Sequence, residues 1–298
     1  MILIFGGSGF IGSNFCKKIH MKNIPAIALG TRDEFLEDLS ENMNFKKVHL
    51  NKFINAFDSI KNKIDHIVLS IPPKSVYSLN GIETDLLEII LHDVWPKTNA
   101  KLIYISSGGS VYGNHSNMPI KEDFDTKPID TYGKSKLDEE KKVIQASKKY
   151  YLQYNLLRPA NPIGANQSNS LLLSIFKNNV NHSHLNIINS GRSIRDFFHV
   201  NILVDVMLKL VTQRNHLTKN KIYNIGSGIG LSVNEFVDIV DHICSFRTEK
   251  KYISSKDRII QNNILDVSEI EQLIDIKSNL TVESAILDAW NAFSIRMV

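Results

Sequence analysis

Short apolar runs alternate with longer amphipathic stretches in the first half of the chain. Five apolar runs predict five strands, and they read "ILIF", "IPAIALG", "FKKVHL", "DHIVLSI" and "KLIYIS". Apolar residues recur at helical spacing between and after these runs, as in "IETDLLEIILHDVW" and "SKLDEEKKVIQASKKYY". This alternation predicts an α/β fold, in which a doubly wound parallel sheet carries helices on both faces.

The alternation weakens after residue 160, where long loops, short strands and two late helices are indicated. We therefore expect a larger domain over residues 1–160, to which parts of 190–230 return. Residues 161–298 are expected to form mainly a second, smaller lobe.

A glycine-rich turn follows the first predicted strand. Gly6, Gly9 and Gly12 have the spacing G-x-x-G-x-x-G, and Phe10 and Ile11 open the helical pattern that follows. Such glycines permit a tight turn, let a pyrophosphate approach the backbone, and let helix and strand pack closely. The helix N-terminus adds free N–H groups and positive potential. A purely structural turn is the alternative, but the strand–turn–helix context favours a Rossmann-type dinucleotide site.

The end of the second predicted strand bears on the choice of cofactor. An NAD site usually has an acidic residue there for the ribose 2′-hydroxyl, but this chain has Gly30, Thr31 and Arg32. Arg32 could pair with a 2′-phosphate to which Thr31 donates, so NADP(H) is favoured over NAD(H). The alternative is a solvated surface arginine. Asn51, just after the third strand, is expected to meet the adenine edge.

Tyr132 and Lys136 are separated by one helical turn in "YGKSK". Side chains four residues apart share a helix face, provided that the helix has begun by Tyr132. A free tyrosine has a pKa near ~10, and a nearby ammonium favours the phenolate and lowers that pKa. The tyrosine can then exchange a proton with an alcohol or carbonyl oxygen near neutral pH. Alone, this pair would suit any surface helix; the glycine turn upstream favours catalysis.

A series of motifs resembles those of a known family, the extended short-chain dehydrogenase/reductases of the NAD(P)-dependent epimerase/dehydratase type. In order along nearly the whole chain, the motifs are "GGSGFIG", "YISSGGSVYG", "YGKSK", "LRPANPIG", "RDFFHV", "YNIGSG" and "NILDVSEI". These enzymes act on nucleotide-activated sugars. The resemblance implies that Tyr132 is the acid/base and that Lys136 binds the nicotinamide ribose and acidifies the tyrosine.

One position departs from the family pattern. The family usually has a catalytic Ser or Thr three residues before "VYG", and this chain has Gly108 there. If the chain stays extended after the fifth strand, Ser110 points to the same side as position 108 and Ser107 points away. We therefore expect Ser110 to supply the hydroxyl, with Ser107 as the second choice. Either serine could instead be a turn former.

The resemblance also implies that residues 1–160 bind the dinucleotide and that residues 161–298 form mainly the substrate-binding lobe, with residues that bind the substrate diphosphate. Asn161 in "LRPANPIG" matches the family's diphosphate-binding asparagine, while Arg195 and Arg258 are further candidates. Arginine suits a diphosphate because its fork bonds two oxygens at once. The alternative for Arg195 is a structural ion pair.

The resemblance leaves two catalytic functions open. The first is an NADPH-dependent reductase of a nucleotide-linked 4-keto sugar in surface-polysaccharide precursor synthesis. The second is a nucleotide-sugar 4-epimerase that holds NAD tightly. A non-catalytic NADP-sensing protein is disfavoured because such relatives typically lack the Tyr–Lys pair. A homodimer is implied by resemblance alone.

Composition narrows the remaining classes. A formal charge of +4 on scattered lysines and arginines does not indicate a nucleic-acid partner. No apolar run approaches the ~20 residues that span a bilayer, so no membrane association is expected. Cys16 and Cys244 lie far apart without metal-ligand spacing, which suits a reducing cytoplasm and no metal site.

Overall fold

The computed structural model describes residues 1–30, 45–48, 53, 57–79, 82–167, 169–212, 220–255, 259–274 and 279–295. The chain forms two compact units. Unit 1 comprises Met1–Ser106, Lys134–Leu157 and Val206–Tyr223. Unit 2 comprises Ser107–Gly133, Arg158–Asp205 and Asn224–Val298. Residues 107–133 thus group with unit 2 rather than with the rest of 1–160, and the cofactor and substrate roles of the units stay predictions.

The strands are short. They are β1 (Ile2–Phe5), β2 (Ala26–Leu29), β3 (Phe45–Val48), β4 (His66–Leu69), β5 (Val76–Leu79), β6 (Ile82–Asp85), β7 (Lys101–Ile105), β8 (Tyr154–Pro159), β9 (Asn161–Ile163), β10 (Leu185–Ile188), β11 (Ile194–Arg195), β12 (Phe197–His199), β13 (Lys221–Ile225), β14 (Leu231–Ser232), β15 (Lys250–Ile253) and β16 (Asn262–Asn263).

The helices are α1 (Phe10–Met21), α2 (Leu86–Ile89), α3 (Gly108–Val111), α4 (Thr131–Tyr150), α5 (Leu171–Val180), α6 (Val200–Thr212), α7 (Val233–Cys244), α8 (Ser268–Glu271) and α9 (Val282–Ile295). Within the described ranges, we find none whose length and hydropathy would suit a bilayer-spanning segment.

The main sheet has seven strands in the order β13-β8-β7-β4-β1-β2-β3. The neighbours from β3 to β8 all pair in parallel. All four residues of β1 and all four of β2 are buried, which explains why these strands are continuous apolar runs rather than alternating ones. The parallel sheet flanked by helices confirms the α/β, Rossmann-type prediction.

The stretch "IETDLLEIILHDVW" does not form one helix as its pattern indicated. Its first four residues are β6, which pairs antiparallel with β5, and α2 begins only at Leu86. Asp85 caps the helix by accepting from the Leu87 N–H at 2.9 Å. The helix continues as a π-helical turn over Ile90–Val94 and a 3₁₀ turn over Trp95–Lys97. The amphipathic spacing was correct for α2 and wrong for the residues that a local hairpin takes up.

Unit 2 consists of small sheets and helices. Strand β9 pairs with β12, β10 with β15, and β11 with both β14 and β16. Helix α7 begins with a capping box, in which Ser232 and Glu235 each bond the other's backbone N–H. An aromatic cluster joins α5, Phe246 just after α7, and α9, with Phe176 and Trp290 ring centroids 5.1 Å apart.

Candidate active site

The glycine turn of unit 1 requires glycine at two of its three positions. Gly6 has a φ of +82°, and a Cβ there would lie 2.1 Å from the Ser70 carbonyl oxygen. A Cβ on Gly12 would lie 2.0 Å from the Gly6 carbonyl oxygen, so helix and turn pack backbone against backbone. Gly9 has more room, since its nearest contact would be the Gly6 oxygen at 3.3 Å. Its N–H donates to that same oxygen at 3.0 Å, which closes the turn.

Helix α1 starts directly after this turn. Gly9 is its N-cap in an extended conformation, and no acidic residue stands in its first turn. Phe10 and Ile11 are half-buried there, and the first N–H groups of any helix have no partner within it. A small, electropositive cradle of this kind fits the pyrophosphate of a dinucleotide.

Gly30 is the last described residue after β2. A Cβ at this position would lie 2.3 Å from Ser8 Oγ, so the strand end packs against the glycine turn without a side chain of its own. Thr31, Arg32 and Asn51 lie outside the described residues, and so does Arg258.

Lys136 is buried in unit 1, with 3% of its surface exposed. Its Nζ donates to the carbonyl oxygens of Ile71 and Ile105 and to the Tyr104 hydroxyl, each at 3.1 Å. Glu139 Oε2 lies 3.4 Å from the same nitrogen. Burial lowers the pKa of Lys136, while the carboxylates of Glu139 and then Glu140 oppose that shift.

Tyr132 lies in the first turn of α4, which begins at Thr131. The helix has therefore begun by this residue, as the pairing with Lys136 required. Tyr132 is 48% exposed, whereas Lys136 is buried. Asp130 accepts from the Gly133 N–H at 2.6 Å at the start of the helix. Helix α4 thus presents a phenol that solutes can reach and, one turn later, an enclosed ammonium.

The segment after β7 is not extended, so the geometric reason for preferring Ser110 was wrong. Gly108–Val111 forms one helical turn, and the N–H groups of Ser110 and Val111 donate to the Ser107 carbonyl at 3.3 and 3.0 Å. Position 108 itself has no room, because a Cβ there would lie 2.6 Å from both the Arg158 oxygen and Leu265 Cδ1.

Both serines lie at the α3 turn, Ser107 as its N-cap and Ser110 within it. The Ser110 carbonyl lies 2.7 Å from where a Cβ on Gly133 would stand, so this turn packs against the residue next to Tyr132. Ser110 is half-buried, and Ser107 is buried at the N-terminus of the turn. Ser107 makes no side-chain cap to α3.

Asn161 and Arg195 are both in the small sheets of unit 2. The Asn161 side chain donates to the Asp196 carbonyl at 3.3 Å, and its Oδ1 would lie 3.8 Å from a Cβ on Gly109. The Arg195 guanidinium donates to the carbonyls of Ile194 at 2.9 Å and Gln261 at 3.5 Å. In the described part of the chain we find no carboxylate paired with Arg195, so the structural ion pair is not observed there.

Residues 2–226 match the model of the NAD dependent epimerase/dehydratase family. The chain belongs to this family. Among the described residues of this epimerase/dehydratase family member, no three His, Cys, Asp or Glu side chains converge to suit a metal ion.

Two relatives are similar to this chain over most of its length. The chain is 28% identical to the dTDP-4-dehydro-6-deoxyglucose reductase of Escherichia coli, over 89% of each protein. It is 24% identical to the UDP-glucose 4-epimerase of Bacillus subtilis (strain 168), over 97% of this chain and 95% of that protein. A solved structure of UDP-glucuronic acid 4-epimerase from Bacillus cereus, in complex with UDP-glucuronic acid and NAD, has the same fold. Its TM-score is 0.83 at 19% identity, with 99% of both chains covered.

Sequence reasoning missed two residues of this family member that contact the lysine. Tyr104 lies on β7 and donates a hydrogen bond to Glu139, and Glu139 stands three residues after Lys136 on α4. The i, i+3 spacing was a usable signal, because such residues share a helix face. The position of Tyr104 opposite them depends on the packing of β7 against α4 and has no local signal.

Proposed function

We propose that the protein is an NAD(P)-dependent oxidoreductase that acts at C4 of a nucleotide-activated sugar. Its most specific form is NADPH-dependent reduction of a nucleotide-linked 4-keto sugar, in the synthesis of surface-polysaccharide precursors. The observation that carries this proposal is the arrangement on α4, where an accessible Tyr132 precedes the buried ammonium of Lys136 by one turn.

In this proposal, residues of unit 1 bind the cofactor. The backbone of Gly6, Gly9 and Gly12 and the start of α1, with Phe10 and Ile11, would hold the pyrophosphate. When bound, the nicotinamide supplies a hydride to the sugar carbon. Lys136 would bind the nicotinamide ribose by exchanging one of its three present acceptors for a ribose hydroxyl.

Tyr132 would deliver the proton. Reduction of a C4 ketone leaves an alkoxide that needs a proton, and an exposed phenol can donate it. The charge of Lys136 stabilises the phenolate that is left. Ser110 or Ser107 would donate a hydrogen bond to the same sugar oxygen, in place of the hydroxyl that is absent at Gly108.

The diphosphate of the substrate would be held by residues of unit 2. Arg195 supports this role, because its guanidinium contacts neutral carbonyls and its charge is available to an anion. Asn161 and Arg258 would add further hydrogen bonds.

The cofactor proposed for reduction is NADPH. Gly30 offers no carboxylate to a ribose 2′-hydroxyl, and it packs too closely against Ser8 to be replaced by an acidic residue. Thr31 and Arg32 follow it and would bind the 2′-phosphate.

A 4-epimerase is the second candidate, and two of the three proteins named above support it. The Bacillus subtilis relative and the Bacillus cereus structure are both named as 4-epimerases, and the latter contains NAD. In such a reaction Tyr132 would first remove the proton from the C4 hydroxyl, and it would return a proton to the same oxygen after hydride had been added to the opposite face of C4.

We also propose, from the family resemblance, that the protein is a homodimer. Its two free cysteines suit a cytoplasmic location. Helices α2 and α4 would form the interface. Size-exclusion chromatography with light scattering measures the mass in solution, and a mass equal to that of one chain would contradict the dimer.

Net cofactor consumption separates the two candidate reactions. The purified protein is incubated with NADPH and a dTDP-linked 4-keto-6-deoxy sugar, and separately with UDP-glucose and no added cofactor. A reductase consumes NADPH in proportion to product, whereas an epimerase converts UDP-glucose without net consumption. Failure of both reactions, together with no binding of NADPH or NADH, would refute the proposed function.

A further inference from the structure

The ammonium of Lys136 is held by a network of hydrogen bonds. The network has no direct part in the proposed reaction. All three of its donors are taken, by two backbone carbonyls and by the Tyr104 hydroxyl. The Tyr104 hydroxyl in turn donates to Glu139 Oε2. Glu139 Oε1 accepts from the Lys74 backbone N–H at 3.3 Å, so both carboxylate oxygens are engaged. Every one of these residues lies in unit 1.

This arrangement offsets the cost of enclosing a charge. An ammonium taken out of water is strongly destabilised unless a counter-charge and hydrogen bonds replace its hydration. The titratable groups that face Nζ among the described residues are Tyr104 on β7 and Glu139 on its own helix, with Glu140 more distant on the same helix. Glu139, itself buried, is the nearest negative charge.

We propose that Glu139 is a positioning residue for Lys136, and that with Tyr104 it holds Nζ in place and keeps it positively charged. The proposal rests on the proposed function, in which that charge serves Tyr132 and the nicotinamide ribose. A charged lysine that is free to rotate toward water would lose both roles.

A purely structural role is the competing explanation, since Glu139 also ties α4 to the sheet. Glu140 provides the matched comparison. It is a buried carboxylate on the same helix that accepts from Ser106 Oγ, at 2.5 Å, and it also ties α4 to the residues after β7. No hydrogen bond or ion pair between Glu140 and Lys136 Nζ is found in the described structure, although its charge acts on the lysine at longer range.

The direct test follows the ionisation of Lys136 itself. The protein is prepared with ¹³Cε-labelled lysine, and the Lys136 resonance is assigned by its loss in Lys136→Arg. Its shift is then followed by NMR against pH in the wild type and in Glu139→Gln, Glu140→Gln and Asp138→Asn. Asp138 is an exposed acid on the same helix, paired with Lys141 at 3.7 Å, and it controls for the loss of one negative charge.

Removal of the Glu139 charge removes the largest influence that favours the ammonium, so Lys136 must lose its proton at a lower pH. We expect the midpoint of the Lys136 titration to move to lower pH in Glu139→Gln, less in Glu140→Gln, and not in Asp138→Asn. A Glu139→Gln midpoint that coincides with the wild type, in a variant with an unchanged melting temperature, would overturn the proposal. If Glu139→Gln does not fold, Tyr104→Phe removes the bridging hydroxyl alone and must move the same midpoint.

Turnover provides a second readout and separates this proposal from the proposed function. This readout applies if the wild type is active on the dTDP-linked 4-keto sugar. Above the lowered midpoint of the Lys136 titration, kcat of Glu139→Gln should fall about tenfold for each pH unit. The wild type should still be active over that pH range. A wild type that neither turns over nor binds cofactor refutes the proposed function, while the NMR titration still decides whether Glu139 holds the charge. If the wild type is active and Glu139→Gln has the same pH profile, the positioning role is refuted and the proposed function stands.

Discussion

Gly9 differs from the other two glycines of the turn in the space around it. Its φ of −78° and ψ of 174° suit any residue, and a Cβ would come no closer than 3.3 Å to its neighbours. Gly9→Ala should therefore fold with stability within about 1 kcal/mol of the wild type. Its methyl group would stand where a pyrophosphate approaches, so we expect cofactor affinity to fall by about tenfold or more. Fluorescence titration with NADPH measures this.

Gly6→Ala is the matched control for that prediction. Its methyl group would meet the Ser70 carbonyl at a positive φ, so we expect a loss of about 1–3 kcal/mol in the free energy of unfolding. Unchanged cofactor affinity in Gly9→Ala would contradict the placement of the dinucleotide at this turn.

Gly108 is a second residue at which the available space decides the effect of a substitution on stability. Restoring the family's hydroxyl by Gly108→Ser would place a Cβ 2.6 Å from the Arg158 carbonyl, which is backbone and yields little. We expect a loss of about 1–3 kcal/mol in stability and no gain in turnover. Chemical denaturation and steady-state kinetics test this, and a stable, faster variant would show that the site had kept room for the lost side chain.

At the scale of elements, α3 brings the two candidate serines into one helical turn. We expect Ser110→Ala to lower kcat by about 10–100-fold, because a hydrogen bond to a charged oxygen contributes about 1.5–3 kcal/mol. Ser107→Ala is the parallel variant. Steady-state kinetics measure kcat of the two variants. Full turnover in both would contradict a catalytic role for either serine.

The elements also show what local pattern can predict. The strands of the sheet were predictable because buried parallel strands are continuous apolar runs, and α4 was predictable from its propensity and its Tyr–Lys spacing. The β5–β6 hairpin and the turn of α3 were not. In the first case a strand pairing competes with a helical pattern over Ile82–Asp85. In the second, glycines permit either conformation, and contacts from residues distant in sequence decide between them.

At the scale of the whole molecule, the grouping of segments distant in sequence could not be read from the chain. Residues 107–133 belong to unit 2 although they lie between segments of unit 1, and Gly108 among them packs against Arg158 and Leu265 of the same unit. The glycine turn and Lys136 are both in unit 1, while Ser110, Asn161 and Arg195 are all in unit 2. The proposed division between cofactor and substrate follows this grouping.

Cofactor preference is measurable on the intact protein. A ligand that binds only the folded state raises its stability, by about 2.7 kcal/mol at a hundred times its Kd. NADPH should therefore raise the melting temperature more than NADH at equal concentration, and Arg32→Ala should remove the difference because it removes the partner of the 2′-phosphate. A larger shift with NADH would contradict the NADP(H) preference and favour the epimerase.

The most direct test of the account is the turnover of Tyr132→Phe on the sugar nucleotide that the wild type accepts. Half of the Tyr132 surface is exposed, so loss of its hydroxyl should leave the melting temperature and cofactor affinity close to those of the wild type. The account predicts that kcat falls by about 10²–10⁴-fold, because the sugar oxygen loses its proton donor. Turnover equal to that of the wild type would contradict the central claim that this phenol carries the proton.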